Sequence, residues 1–308
     1  TFDDTDTDMQ PDLVWIKNID ALDSHCLFDA VRGATKVMHT DTNADEDTDT
    51  DTLDSFTSDG FQVDADVKVN TNTEDYVAWC WKAGTTSGIN ATGADITPSA
   101  YSFNQTSGVS IIKYSGNSTS GAEVAHGLAA VPHLMIIKNI DYSSGEGWQV
   151  YHHKNTAAPE TDALQLHATD ATQDTATRWN DTAPGSVLFT LGNDISVNTG
   201  YTYLGLIFSE KQGFSKFGGY TGNGNADGKF VYTGFRPAYV LSKRTNGAAD
   251  WMLLDSKRLG YNPDNNPLFP DGSGADSDVN VMDILSNGFK LRATSVDING
   301  SGDTYIYA

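Results

Sequence analysis

The 308 residues can bury one large core or two to three smaller ones, so length leaves the domain count open. Asp and Glu total 41 against 19 Lys and Arg, a net charge of −22, and so negative a chain repels phosphate backbones and anionic membrane surfaces, which sets nucleic acid aside as a partner. No apolar run reaches the roughly 18 residues of a membrane-spanning helix, so membrane insertion is not expected either.

Only six of the acidic residues are Glu. Asp is a poor helix former and favours caps and turns, where its short carboxylate bonds nearby backbone N–H groups. With 29 Gly and abundant Thr, Ser and Asn, this bias predicts strands joined by polar loops, an all-β chain.

The chain opens on TFDDTDTD without an initiator Met and reads as a processed product or a trimmed piece. Asp3, Asp4, Asp6 and Asp8 place hard oxygen donors at near-alternating positions, as do Asp47, Asp49 and Asp51 within NADEDTDTDTLD, and Asp276 with Asp278. Calcium favours such donors, so Ca²⁺ is the one candidate cofactor, although none of these runs has the Gly and closing Glu of a twelve-residue calcium loop. Asp-Thr alternation equally describes a solvated loop, extended by its own repulsion.

Next comes PDLVWIK from Pro11, in which Leu13, Trp15 and Lys17 alternate with Val14 and Ile16. It predicts a strand buried on one side and partly covered on the other, with Pro at the first position, where a missing N–H is tolerated. The same pattern returns as PHLMIIK at Pro132 and PAYVLSK at Pro237, placing Lys17, Lys138 and Lys243 six residues after each Pro. A core strand is the expected role of all three, with no reaction assigned to the lysines.

A second apolar strand follows each copy, in HCLFDAVRG, GWQVYHHKN and DWMLLDSKRLG. Asp29 with Arg32, and Asp255 with Arg258, are expected as structural ion pairs, because the second copy has Tyr151 and His152 there and so shares no chemistry with the others. SFTSDGFQV then matches ILSNGFKL as a hairpin, its Asp-Gly or Asn-Gly supplying positive φ, while the second copy offers only LFTLGNDISV. Each copy closes on Asn and an aromatic strand: VNTNTEDYVAWCW, VNTGYTYLGLIF and INGSGDTYIYA. Val77, Trp79 and Trp81 share a face there, which suits a sandwich core better than a sugar-stacking platform.

Ahead of Pro132 and Pro237 stand YSGNSTSGAEVAHGLAAVP and YTGNGNADGKFVYTGFRP, a leading strand with Tyr-x-Gly-Asn and a second strand running into the Pro. The expected organisation is three tandem related β-sandwich units of jelly-roll type: 1–84, a linker at 85–108, 109–210 and 211–308. The first copy lacks its Tyr-x-Gly-Asn strand, so either a longer parent chain or a neighbouring molecule is expected to supply it.

Cys26 and Cys80 are too few for a disulfide framework or a zinc site and are expected as free thiols, one bridge being the alternative. The seven histidines (His25, His39, His126, His133, His152, His153 and His167) accompany no metalloprotease, nucleophile-elbow or phosphate-loop pattern, so no catalysis is expected.

PDLVWIKN, FDAVRGATK, SFTSDGFQV and YVAWCWKAG together resemble a domain of marine tailed-bacteriophage proteins, often virion structural or fibre-like, and PDLVWIKN-type repeats of uncharacterised proteins. The resemblance is closest over 1–84 and implies a virion-surface or extracellular setting. The expected function is a non-enzymatic structural protein: a capsid decoration, fibre or filament-forming subunit completed by strand exchange with a neighbour. Its partners would be other copies of itself or other virion proteins. The alternative is a glycan-binding adhesin or receptor-binding module, calcium-dependent or not.

Overall fold

A computed structural model describes residues 9–258, 262 and 266–308. Asp3, Asp4, Asp6 and Asp8 of the expected calcium set lie outside the described residues.

The chain is almost entirely strand and loop. Its strands are, in order, β1 (Leu13–Asn18), β2 (Cys26–Asp29), β3 (Lys36–His39), β4 (Asp47–Thr48), β5 (Leu53–Thr57), β6 (Gly60–Val63) and β7 (Tyr76–Trp81). There follow β8 (Ala100–Asn104), β9 (Val109–Ser115), β10 (Ala122–Ala125), β11 (Leu134–Asn139), β12 (Gln149–His152), β13 (Asp162–Gln165), β14 (Gln173–Asp174), β15 (Leu188–Leu191) and β16 (Thr202–Phe208). The last are β17 (Gly218–Thr221), β18 (Phe230–Tyr232), β19 (Tyr239–Arg244), β20 (Met252–Asp255), β21 (Met282–Leu285), β22 (Gly288–Leu291) and β23 (Thr304–Tyr307). A single α-helical turn among the described residues, α1 (Ala176–Trp179), buries Trp179, and a 3-10 turn spans Pro159–Thr161.

Three large antiparallel sheets carry the PxxVxIK strands, in the orders β4–β3–β2–β1–β7, β14–β13–β12–β11–β16–β9–β8 and β17–β23–β19–β20. One register recurs in them. Leu13 faces Asp29, Leu134 faces His152 and Tyr239 faces Asp255 across the second strand, while Lys17, Lys138 and Lys243 face Val77, Leu204 and Ile306 across the closing strand. Three small sheets, β5–β6, β10–β15 and β18–β22–β21, accompany them.

β1 and β11 are buried at all six positions and β19 at its four central ones, so the PxxVxIK strand is covered on both faces, more fully than the partial cover expected on the second. Alternation accounts for this, because each face meets a different core. Val14 and Ile16 join Cys26, Phe28 and Leu53 in a core between the first large sheet and its small partner, and separate cores serve the second and third. Leu13, Trp15, Leu134, Ile136, Leu241 and Ile306 instead meet in one shared core to which all three large sheets contribute.

The large sheets also close on one another through backbone hydrogen bonds. Glu46 N–H donates to Ile140 O at 3.0 Å, Thr172 N–H to Thr245 O at 2.9 Å and Asp276 N–H to Ile19 O at 3.0 Å. Ile19, Ile140 and Thr245 each stand two residues past the buried lysine of their strand, so the contact runs from first sheet to second, second to third, and third back to first.

Three sequence readings are refined and a fourth, the free cysteines, holds. The 85–108 stretch, read as a linker, contributes β8, which pairs with β9 at the edge of the second large sheet. The β5–β6 and β21–β22 hairpins turn at Ser58–Asp59 and Ser286–Asn287, with no positive φ among those four residues. Gly288 is needed instead for close approach, because a Cβ there would lie 2.0 Å from Val231 O on β18. In the second sheet the register sets His152 at the Asp29 position and Asn155 at the Arg32 position, in place of the Tyr151 and His152 of the sequence reading, since the Asp29 counterpart is fixed by pairing to Leu134. Both cysteines are free thiols, Cys26 buried and Cys80 half-buried.

Candidate functional site

The three repeated lysines are fully buried, and each ammonium is held by main-chain carbonyls. Lys138 Nζ donates to Asn43 O at 3.2 Å, Asn139 O at 3.0 Å and Glu146 O at 2.6 Å, bridging the first and second sheets. Lys243 Nζ donates to Thr169 O and Ala249 O, bridging the second and third, and Lys17 Nζ reaches Asn18 O and Ala21 O. Burial lowers all three pKa values, to about 8 for Lys138 and Lys243. Their partners are backbone oxygens, local to the strand end for Lys17 and across a contact between sheets for Lys138 and Lys243, an arrangement that fastens the fold.

Asp29 and Arg32 form a buried ion pair, Nε to Oδ2 at 2.5 Å, and Asp255 with Arg258 repeats it at 2.7 Å. Arg32 also pairs with Glu46 at 3.2 Å and Arg258 with Asp276 at 3.5 Å, while Thr172 Oγ1 donates to Asn155 Oδ1 at 2.6 Å in the second sheet. Each position therefore steadies the segment whose N–H reaches the next sheet.

The carboxylates of the calcium reading serve their own loops. Asp47 Oδ1 accepts Thr48 N–H and Asp49 Oδ1 accepts Asp51 N–H, Asp51 is exposed, and among the described residues no group of three or more His, Cys, Asp or Glu is placed to hold a metal ion. Asp271, which the sequence did not single out, has its pKa raised to about 7 by burial and by nearby Asp250 while it accepts Trp251 N–H.

An apolar cavity of about 470 Å³ lies where the three large sheets meet, walled by Trp79, Trp81, Leu206, Phe208, Tyr239 and Ala308 among others. Trp79 and Trp81 meet Tyr239 edge to face, with ring centroids 5.8 and 5.5 Å apart, so their faces are engaged within the fold. No histidine lines it. His133, His152 and His153 cluster instead around Phe217, where His152 Nε2 lies 3.1 Å from Tyr307 O.

One site is defined by a strand that two sheets have and the third does not. β9 lies on the outer edge of β16 and β17 on that of β23, but among the described residues no strand pairs with the corresponding edge of β7. The small sheets show the same difference among the described residues: β10 pairs with β15 and β18 with β22, whereas β6 pairs with β5 alone. Phe289 and Ile284 are fully buried, while Phe61 and Phe56 at the matching hairpin positions are only partly buried. An unpaired edge of this kind offers N–H and C=O groups to a further strand.

A family model described as a domain of unknown function (DUF7483) matches residues 3–308. No curated protein and no solved structure matches the chain.

Proposed function

We propose that this chain, which belongs to the DUF7483 family, is a non-enzymatic structural subunit of an extracellular or virion-surface assembly. It consists of three related β-sandwich units closed into a ring, the 85–108 stretch belonging with the second, and it engages a further strand along the β7 and β6 edge of the first.

The observation that carries this reading is the edge of β7 and β6, which no further strand pairs among the described residues, set against the same edges filled by β9, β10, β17 and β18. The ring supports it further. Glu46, Thr172 and Asp276 donate in turn to Ile140, Thr245 and Ile19, so each unit is braced on both sides and the body forms a rigid block with one sticky side. A net charge of −22 keeps such blocks apart except where a specific edge engages. The chain's repeated polar groups are consumed by this bracing, which fits a spacer, decoration or filament role better than catalysis.

Negative-stain microscopy with sedimentation velocity tests it: the expected result is oligomers or filaments at micromolar concentration, and monomers throughout would overturn it. A glycan array run with and without chelator separates the adhesin reading, because a scaffold gives no hits on either.

A further inference from the structure

We infer that the outer edges of β7 and β6 form a ready-made slot for a further Tyr-x-Gly-Asn strand from outside the described residues, since β9 and β17 are already paired in their own sheets. The inference rests on the assembly reading above and specifies its partner.

The chain itself displays the filled slot twice. In the second large sheet Tyr114 of the YSGN stretch faces Tyr203, their rings stacked 5.2 Å apart at 18°, and Tyr114 O–H donates to Val197 O at 2.7 Å. In the third, Tyr220 of YTGN stacks on Tyr305 at 4.9 Å and 9° and donates to Ile298 O at 2.9 Å. The next two residues explain the rest of the motif. A Cβ on Gly116 would lie 2.1 Å from Thr199 O, and one on Gly222 would lie 2.2 Å from Gly300 O, so only glycine passes. Asn117 N–H then donates to Asn198 Oδ1 at 2.8 Å, and Asn223 N–H to Asn299 Oδ1 at 2.9 Å.

Every receiving group of the slot is already in place in the first unit. Tyr76 faces Asn18 as Tyr203 faces Asn139, and its hydroxyl is fixed like that of Tyr203, accepting Thr71 N–H at 2.7 Å and donating to Val67 O at 2.7 Å. No aromatic ring packs on it among the described residues. Asn70 stands where Asn198 and Asn299 stand, its Nδ2 donating to Asp64 O at 2.7 Å. Asn198 and Asn299 are fully buried, but Asn70 is exposed and its Oδ1 accepts no bond among the described residues. The incoming strand would pair with β7 in the register of β9 on β16, and the strand after it would cover Phe61 on β6.

The test is a synthetic peptide of residues 109–125, VSIIKYSGNSTSGAEVA, titrated into the full chain by calorimetry, with melting curves alongside. One-to-one saturable binding and a raised Tm are expected, with at least tenfold weaker binding for a Tyr114→Ala peptide and none for Gly116→Val. Asn70→Ala in the protein should weaken binding about tenfold, near the worth of one hydrogen bond, with its own melt confirming that it folds. No binding, or equal binding by the Gly116→Val peptide, would overturn the slot. Assemblies that form and ignore saturating peptide would overturn the slot while leaving the structural role standing. Peptide binding to a chain that stays monomeric would uphold the slot and overturn that role.

Discussion

The indole N–H of Trp148 donates to the His39 carbonyl at 3.0 Å, tying the second large sheet to the first. Trp251 makes the same bond to Gln165 O at 2.8 Å, from the third sheet to the second. His25, at the matching position of the first sheet, lies beside the Phe269 backbone, with its Nε2 outside hydrogen-bond geometry. Sheet-to-sheet contact therefore follows one rule at three places, with two of the three side-chain donors engaged.

Trp148→Phe keeps most of the ring's packing and removes the donor. The buried His39 carbonyl would lose its indole partner, so unfolding in urea should show a loss of about 1–3 kcal/mol with little change in slope. An unchanged midpoint would mean that the indole bond contributes nothing to holding the sheets together.

Lys138→Met is a nearly isosteric change that leaves three carbonyls, from Asn43, Asn139 and Glu146, without their shared donor. Removing the ammonium also relieves its desolvation, so the expected net loss is modest, about 1–3 kcal/mol. The sign of the pH dependence separates the two effects. The folded pKa of Lys138, about 8, lies below its ordinary 10.5, so between those values the unfolded chain holds more protons and stability should rise with pH. The mutant should lose that part of the rise.

Arg32→Asn strands the buried Asp29 carboxylate and should cost about 3–5 kcal/mol in chemical denaturation. The second sheet shows a neutral solution at the same two positions, His152 and Asn155. The double variant Asp29→His with Arg32→Asn should therefore recover more than half of the loss. Additive losses would show that the two pairs are not interchangeable.

How far the sequence announced all this differs by residue. The PxxVxIK strand was legible because side-chain period and a shared lysine survive in all three copies, and the Asp29–Arg32 pair because its spacing suits a turn. Ring closure was not, since Glu46, Thr172 and Asp276 use backbone N–H groups that every residue type possesses. The equivalence of His25 with Trp148 and Trp251 was hidden by its unlike side chain. Tyr-x-Gly-Asn could be seen as a repeat, but its reason, a glycine pressed against Thr199 O or Gly300 O, depends on a loop about 80 residues further along the chain.

Acid should unfold the protein earlier than its carboxylates alone would. Burial lowers His25 and His152 to about 3 and His126 to about 4, so each is neutral when folded and binds a proton when unfolded below about 6.5. Each then removes about 1.4 kcal/mol per pH unit as the pH falls from 6.5. Melting temperature measured from pH 7 to 4.5 should decline throughout, and His126→Phe should flatten the slope.

Asp271 works in the opposite direction. Burial, with Asp250 second, raises its pKa from 3.8 to about 7, so between these values the folded chain holds the extra proton and stability falls as pH rises. Lys243 nearby lowers the pKa only in part. Asp271→Asn preserves an oxygen for Trp251 N–H while removing the titration. The variant should therefore gain on the wild type as pH climbs from 5 to 8, by about 1.4 kcal/mol per unit at most. A constant difference across that range, read from urea midpoints, would show that the Asp271 carboxyl ionises in the folded chain no differently from an exposed one.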